Sequence, residues 1–112
     1  MARLAAGLLV NALVRRVNAA GGSAMVLAKG DAEAGAILIL AVERGANPGF
    51  FERGIGPDGM PALVRSGPAD LADEQAVSDY WHRRRSRDSD LWVVELDIAG
   101  AERFAAETLA TG

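Results

Sequence analysis

With 112 residues, half of them apolar, the chain is long enough to bury one hydrophobic core without disulfides or a structural metal. It has no cysteine, which excludes thiol catalysis, a disulfide framework and cysteine-based zinc sites. Its formal charge of −3 argues against a general nucleic-acid binder, whose balance is normally basic. One domain over residues 1–112 is expected.

Residues 4–20 predict the first helix. Ala6, Leu9, Val10, Leu13, Val17 and Ala20 fall within about 100° of arc, the width of a core-facing stripe. Gly21-Gly22 ends it, where a left-handed residue is wanted. Leu4 and Leu8 lie off the stripe beside Asn11 and Arg15, so they need either cover from the C-terminal helix or a second copy of the chain. Asn11 interrupts the apolar run, and Arg15-Arg16 stand where a signal peptide would be small and neutral. No stretch approaches the roughly 20 apolar residues of a membrane span, and the expected location is the cytoplasm.

Ser23 to Ala28 reads as a short apolar strand, and Ala36 to Val42 as a second strand after a glycine-bounded turn. The second strand is apolar on both faces, the mark of a central strand covered on each side. Asn47-Pro48-Gly49 predicts a turn within residues 43–49. Phe50 to Ile55 and Met60 to Arg65 then form a hairpin around Gly56-Pro57-Asp58-Gly59, and Pro61 places its second strand at a sheet edge.

The stretch Asp70 to Ile98 holds the only Tyr, both Trp and the only His. Ala76, Val77, Tyr80, Trp81 and Arg84 share one helix face about 140° wide, while His82 and Arg85 fall on the far side. Asp70 is the expected cap, with Asp73 and Glu74 at the positive end of the helix dipole and Arg83, Arg84, Arg85 and Arg87 at the negative end. In the following strand Leu91 and Val93 point one way, and Trp92, Val94, Leu96 and Ile98 the other. Ala101 to Leu109 forms a short last helix anchored by Phe104. The expected fold is therefore α+β. A mainly antiparallel sheet of four or five strands packs with the two main helices in two layers, in the order α-β-β-β-β-α-β-short α. The place of the last strand is left open between a parallel crossover and a return to the first strand.

Three stretches carry a family resemblance: residues 7–16 (Gly7 to Arg16), Lys29-Gly30-Asp31 running to Gly35-Ala36, and Asp88-Ser89-Asp90-Leu91-Trp92-Val93-Val94-Glu95. In these the chain resembles the small, mostly alphaproteobacterial domain-of-unknown-function family fourteen-ninety-one. It departs from that family at Leu9, where an aromatic is common, and at Ser89, where a proline is common. The resemblance implies a cytoplasmic one-domain protein and no particular activity.

Arg84, Arg87, Asp88, Asp90, Trp92 and Glu95 are the candidate binding residues. The arginines could hold a phosphate or a nucleic-acid backbone while Tyr80, Trp81 or Trp92 stacks on a base. Acidic neighbours cancel much of that field, and Arg84, on the core stripe, is expected to pair internally with Asp88 or Glu95. Asp88, Asp90, Glu95 and Asp97 could together attract Mg²⁺, and the element order is that of restriction-type nuclease cores, a fold-level analogy. The acid plus Glu-x-Lys set of such enzymes is incomplete, since Arg53 follows Glu52 and the only lysine is Lys29. His82 has no second His or Cys for zinc, and no Ser stands in a Gly-x-Ser-x-Gly elbow. No catalytic residue, metal ligand or cofactor is assigned. The reading is a small cytoplasmic interaction module, with self-association through Leu4 and Leu8. Its alternative is a phosphate- or nucleic-acid-binding, degenerate nuclease-like domain around Arg84, Asp88, Asp90 and Glu95.

Overall fold

A computed structural model describes residues 4–71 and 73–110. Helix α1 (Ala6–Ala19) is followed by strands β1 (Ser23–Ala28), β2 (Ile37–Glu43), β3 (Ala46–Ile55) and β4 (Pro61–Ser66). Then come helix α2 (Glu74–Arg87), strand β5 (Trp92–Asp97) and helix α3 (Ala101–Ala105), which widens into a π-helical turn over Ala106–Ala110. The fold is α+β, with a mixed and mostly antiparallel sheet of five strands in the order β1-β5-β2-β3-β4. The place left open for the last strand is now filled on both sides: β5 inserts between β1, antiparallel, and β2, parallel.

Strand parity sorts the core into two clusters on opposite faces of the sheet. Ile39, Ala41, Trp92, Val94 and Leu96 meet Leu9, Val10, Leu13 and Val17 of α1, together with Ala101, Ala105 and Leu109. Leu38, Leu40, Phe50, Leu91 and Val93 meet Leu71, Val77, Tyr80 and Trp81 of the α2 side. The two main helices thus lie on opposite faces, and the two expected layers are three. The cause is visible in β2, whose apolar residues on both faces need cover from both sides. The α1 stripe is the expected one, except that Ala20 is exposed.

Two local expectations are corrected. The turn between β2 and β3 is Arg44-Gly45, not Asn47-Pro48-Gly49, which lies inside β3. Arg44 and Gly45 both take positive φ, 54° and 73°, as a two-residue hairpin turn requires. The Asp97 carboxylate fixes this turn by accepting their amides at 2.6 and 3.1 Å. Pro48 is tolerated because it falls at the register shift of the β2–β3 ladder and ahead of the first β3–β4 pair at Phe50. The cap of α2 is Asp73, not Asp70: its Oδ1 accepts the Ala76 amide at 2.8 Å. Pro61 does stand at a sheet edge, in β4.

Candidate functional site

Helix α2 has half-buried residues but none fully buried, so its attachment to the sheet depends on a few strong contacts. Arg84, on its inward face, reaches across to β3 and not to Asp88 or Glu95. Its Nη1 and Nη2 donate to Glu52 Oε2 and Oε1 at 2.7 and 2.9 Å, a two-pronged charge-assisted pair. Nη1 also donates to the Tyr80 hydroxyl at 2.9 Å, and that hydroxyl lies 3.4 Å from Ser66 Oγ on β4. The Tyr80 ring sits tilted against Phe50, centroids 4.7 Å apart. Glu52 can meet Arg84 because it shares strand parity with the buried Phe50 and so points to the α2 face.

The electrostatics match this geometry. The Arg84 hydrogen bonds hold the Glu52 carboxyl below the usual carboxylate range, with burial opposing them and Ser66 assisting. Donating these bonds to Glu52 in turn raises the Arg84 pKa above its ordinary value. A carboxylate held ionised by two hydrogen bonds is a poor general acid or base. The ensemble is built to clamp α2 onto β3.

The other candidate residues are not gathered around Arg84. Trp92 is buried on the opposite, α1-side face, where its Nε1 donates to the Asp31 carbonyl at 2.8 Å. Asp88 and Asp90 lie exposed in the turn after α2. Asp88 Oδ1 accepts the Asp90 amide at 3.0 Å, and the Asp88 carbonyl accepts the Leu91 amide at 3.2 Å. Arg87 is exposed on the last turn of α2. Glu95 sits on β5 between Met25 of β1 and Leu40 of β2. Arg85, expected on the far side of α2, folds back and donates to the carbonyls of Ser89 and Leu91, helping to hold the turn into β5. His82 is exposed and stacked on Trp81 at 3.7 Å. Its Nδ1 lies 2.7 Å from the Ser78 carbonyl and 3.1 Å from Ser78 Oγ. An Nδ1 that donates to a carbonyl carries the proton and cannot take one from the serine. Among the described residues no group of three or more His, Asp or Glu is placed to hold a metal ion.

The stretches that carried the family resemblance meet in one joint. Asp31 Oδ2 accepts the amides of Glu33 and Ala34 at 3.2 and 2.8 Å, and the Asp31 amide donates to the Asp90 carbonyl at 3.0 Å. The loop carbonyls of Ala32 and Glu33 accept the Gly7 and Ala6 amides of the first turn of α1 at 2.9 and 3.1 Å. A Cβ on Gly30 or Gly35 would stand 2.1 or 2.2 Å from the Asp90 carbonyl oxygen, so only glycine fits either place. These motifs hold α1, the β1–β2 loop and the start of β5 together.

Large apolar side chains are also exposed, two of them near the start of α1. Leu8 on the outer face of α1 is 60% exposed and Leu4 62%, but the helix expected from residue 4 begins only at Ala6, after the extended Ala5, so Leu4 precedes it. The C-terminal helix packs beside α1, with Arg16 bonded to Glu107 and Thr108 at 2.7 Å each, and leaves them uncovered. Leu4 also forms a wall of a cleft of about 410 Å³, with Leu9, Glu33, Ile37, Arg53 and Leu109 among its lining. The Arg53 guanidinium there donates through Nε to the Leu109 carbonyl at 2.8 Å. No helix among the described residues is long and apolar enough to cross a membrane.

The same architecture occurs in known structures. The crystal structure of a DUF1491 family protein from Caulobacter crescentus CB15 superimposes with a TM-score of 0.77 at 32% identity, covering 91% of this chain and 94% of that one. The NMR structure of a DUF1491 family protein from the same organism gives 0.75 at 31% identity, covering 93% and 94%. The solution structure of protein Atu0922 from A. tumefaciens gives 0.66 at 30% identity, covering 87% of each chain. No curated protein matches the chain. The family model described as "Protein of unknown function (DUF1491)" matches residues 4–106, which hold the α1 start, the β1–β2 loop and the β5 turn just described, and the chain belongs to that family.

Proposed function

We propose that the chain is, as one domain, a cytoplasmic interaction module that works by contact rather than catalysis, with a second copy docked on the outer face of α1. The observation that carries this is the exposure of Leu4 and Leu8 beside a helix that had the opportunity to cover them. Each leucine hidden contributes about 1.5–3 kcal/mol, so four across a two-fold axis sustain a weak dimer after association costs. The cleft beside Leu4 gives a leucine of the second copy a place to seat. The polar residues that invite a catalytic reading are engaged in holding α2, the hairpin turn and the turn into β5.

Analytical ultracentrifugation of the wild type and the Leu4→Glu/Leu8→Glu double variant tests the contact. The wild type should show reversible mass growth with concentration, and the double variant a folded species with at least tenfold weaker association through this face. A double variant with unchanged association, or a wild type that stays monomeric at high concentration, ends this reading.

The alternative, contact with a phosphate or a nucleic-acid backbone, is favoured by one observation: Arg83 and Arg87 are exposed on the last turns of α2. The expected result against it is weak binding to DNA or RNA near physiological salt. Tight binding that falls steeply with added salt would show that this helix end contacts phosphates.

A further inference from the structure

We infer that the cleft between the β2–β3 end of the sheet and the start of α3 binds a small zwitterion, a neutral α-amino acid whose carboxylate rests on Arg65 and whose ammonium faces Glu43 and Glu102. The inference concerns a different part of the molecule from the Leu4 and Leu8 contact and does not depend on it.

The cleft has a volume of about 250 Å³, less than the roughly 300–1,000 Å³ of sites that take drug-sized ligands, so its occupant is small. Arg65 stands opposite Phe51 in the β3–β4 ladder, and β4 is an outer strand of the sheet. From such a strand a long cationic side chain can run out into water. Arg65 instead turns inward. Its guanidinium carbon lies 5.9 Å from the centroid of the Phe51 ring, and the group crosses buried Gly49, where a Cβ would stand 3.5 Å from Nη2. A longer side chain at position 49 would take the place the guanidinium fills. Arg65 donates to no acceptor among the described residues, and it pairs with neither Glu43 nor Glu102, although both line the same cleft. The planar fork is thus positioned by a ring and a strand backbone while its donors stay open to a ligand.

The occupant is argued from charge and from the chemistry of the walls. A bare anion drawn to Arg65 would meet two carboxylates, and a bare cation drawn to those carboxylates would meet the guanidinium. A molecule with one charge of each sign answers all three groups at once. Its carboxylate matches the two-pronged geometry that a guanidinium offers. Its ammonium matches the glutamates. Phe51, Ile98 and Ala101 supply the apolar wall, which suits an uncharged, apolar side chain on the ligand. A charged side chain there would add a charge with no counterpart. Arg65, Glu43 and Glu102 are exposed, so water screens their pull, and a dissociation constant on the order of 1 mM is expected.

Titration of the isotope-labelled full chain with L-leucine, followed by amide NMR, tests the site. The amides of Gly49, Phe51 and Ala101 should shift and saturate, and L-valine and L-methionine should move the same signals. L-Leucinamide, which lacks the carboxylate, and N-acetyl-L-leucine, which lacks the ammonium, should each bind about tenfold more weakly. Arg65→Gln and the Glu43→Gln/Glu102→Gln double variant should each weaken L-leucine binding by about tenfold, with the spectrum outside the cleft that of the wild type. Arg87→Gln, exposed on α2, should leave binding unchanged. No saturable shift at these amides with L-leucine, L-valine or L-methionine overturns the inference. So does unchanged binding in Arg65→Gln. Inorganic phosphate or N-acetyl-L-leucine binding as tightly as L-leucine also overturns it, because Arg65 would then be a plain anion contact.

Discussion

Gly30→Ala is expected to destabilise the protein by about 3 kcal/mol, the upper end of ordinary overpacking. The added Cβ would meet the Asp90 carbonyl oxygen at 2.1 Å and the Leu91 carbonyl carbon at 2.7 Å. Both are backbone atoms of the turn that Arg85 and Asp88 already hold, so neither can swing aside as a flexible side chain would. Relief requires the β1–β2 loop to part from the start of β5. That movement also breaks the Asp31–Asp90 bond and strains the Trp92 indole bond to Asp31. Gly45→Ala is the matched control: nothing lies near its Cβ, and only its φ of 73° resists, at roughly 1 kcal/mol. Denaturant melts of the two variants separate steric blockage from backbone strain, and equal losses would contradict the joint as described.

Arg84→Ala is expected to cost about 2 kcal/mol, the value of a doubly hydrogen-bonded charge lost to a partner that is only partly dry. The side chains of Arg84 and Glu52 are 29% and 24% exposed, so water screens part of what a sealed pair would lose. Arg83→Ala, exposed on the same turn, should leave the melting transition unchanged. The pH dependence follows from the sign of the Glu52 shift. Its carboxyl is depressed in the folded protein, so the pair contributes fully above the unfolded glutamate pKa and loses that contribution as pH falls through the folded value. Glu52→Gln should flatten this acid limb and match Arg84→Ala in size. A double variant no worse than either single one would show that the two side chains act as one unit.

Local periodicity made much of this fold legible. The alternation through Leu91–Ile98 correctly assigns Trp92, Val94 and Leu96 to one core and Leu91 and Val93 to the other, because strand parity depends on nothing beyond the strand. The inward direction of Arg84 was legible for the same reason. Its partner was not. Glu52 stands 32 residues earlier and becomes a neighbour only once β3 lies beneath α2. The β2–β3 turn was misread because Asn47-Pro48-Gly49 has the stronger local signal, while Arg44-Gly45 is fixed by Asp97 from the far end of the chain. Which face α2 covers, and the insertion of β5 between β1 and β2, are likewise decided by long-range pairing. The candidate site scattered for a related reason. Trp92 and Glu95 are close in sequence but have opposite parity, so the strand that carries them separates them.

The claim that the Arg84–Glu52 pair clamps the fold and does no acid–base work is tested most directly by titrating the Glu52 carboxyl by carbon-detected NMR. The predicted result is a pKa below that of an ordinary glutamate, moving upward in Arg84→Ala and unchanged by Arg83→Ala. A Glu52 that titrates near neutrality in the wild type, as a catalytic acid would, contradicts it.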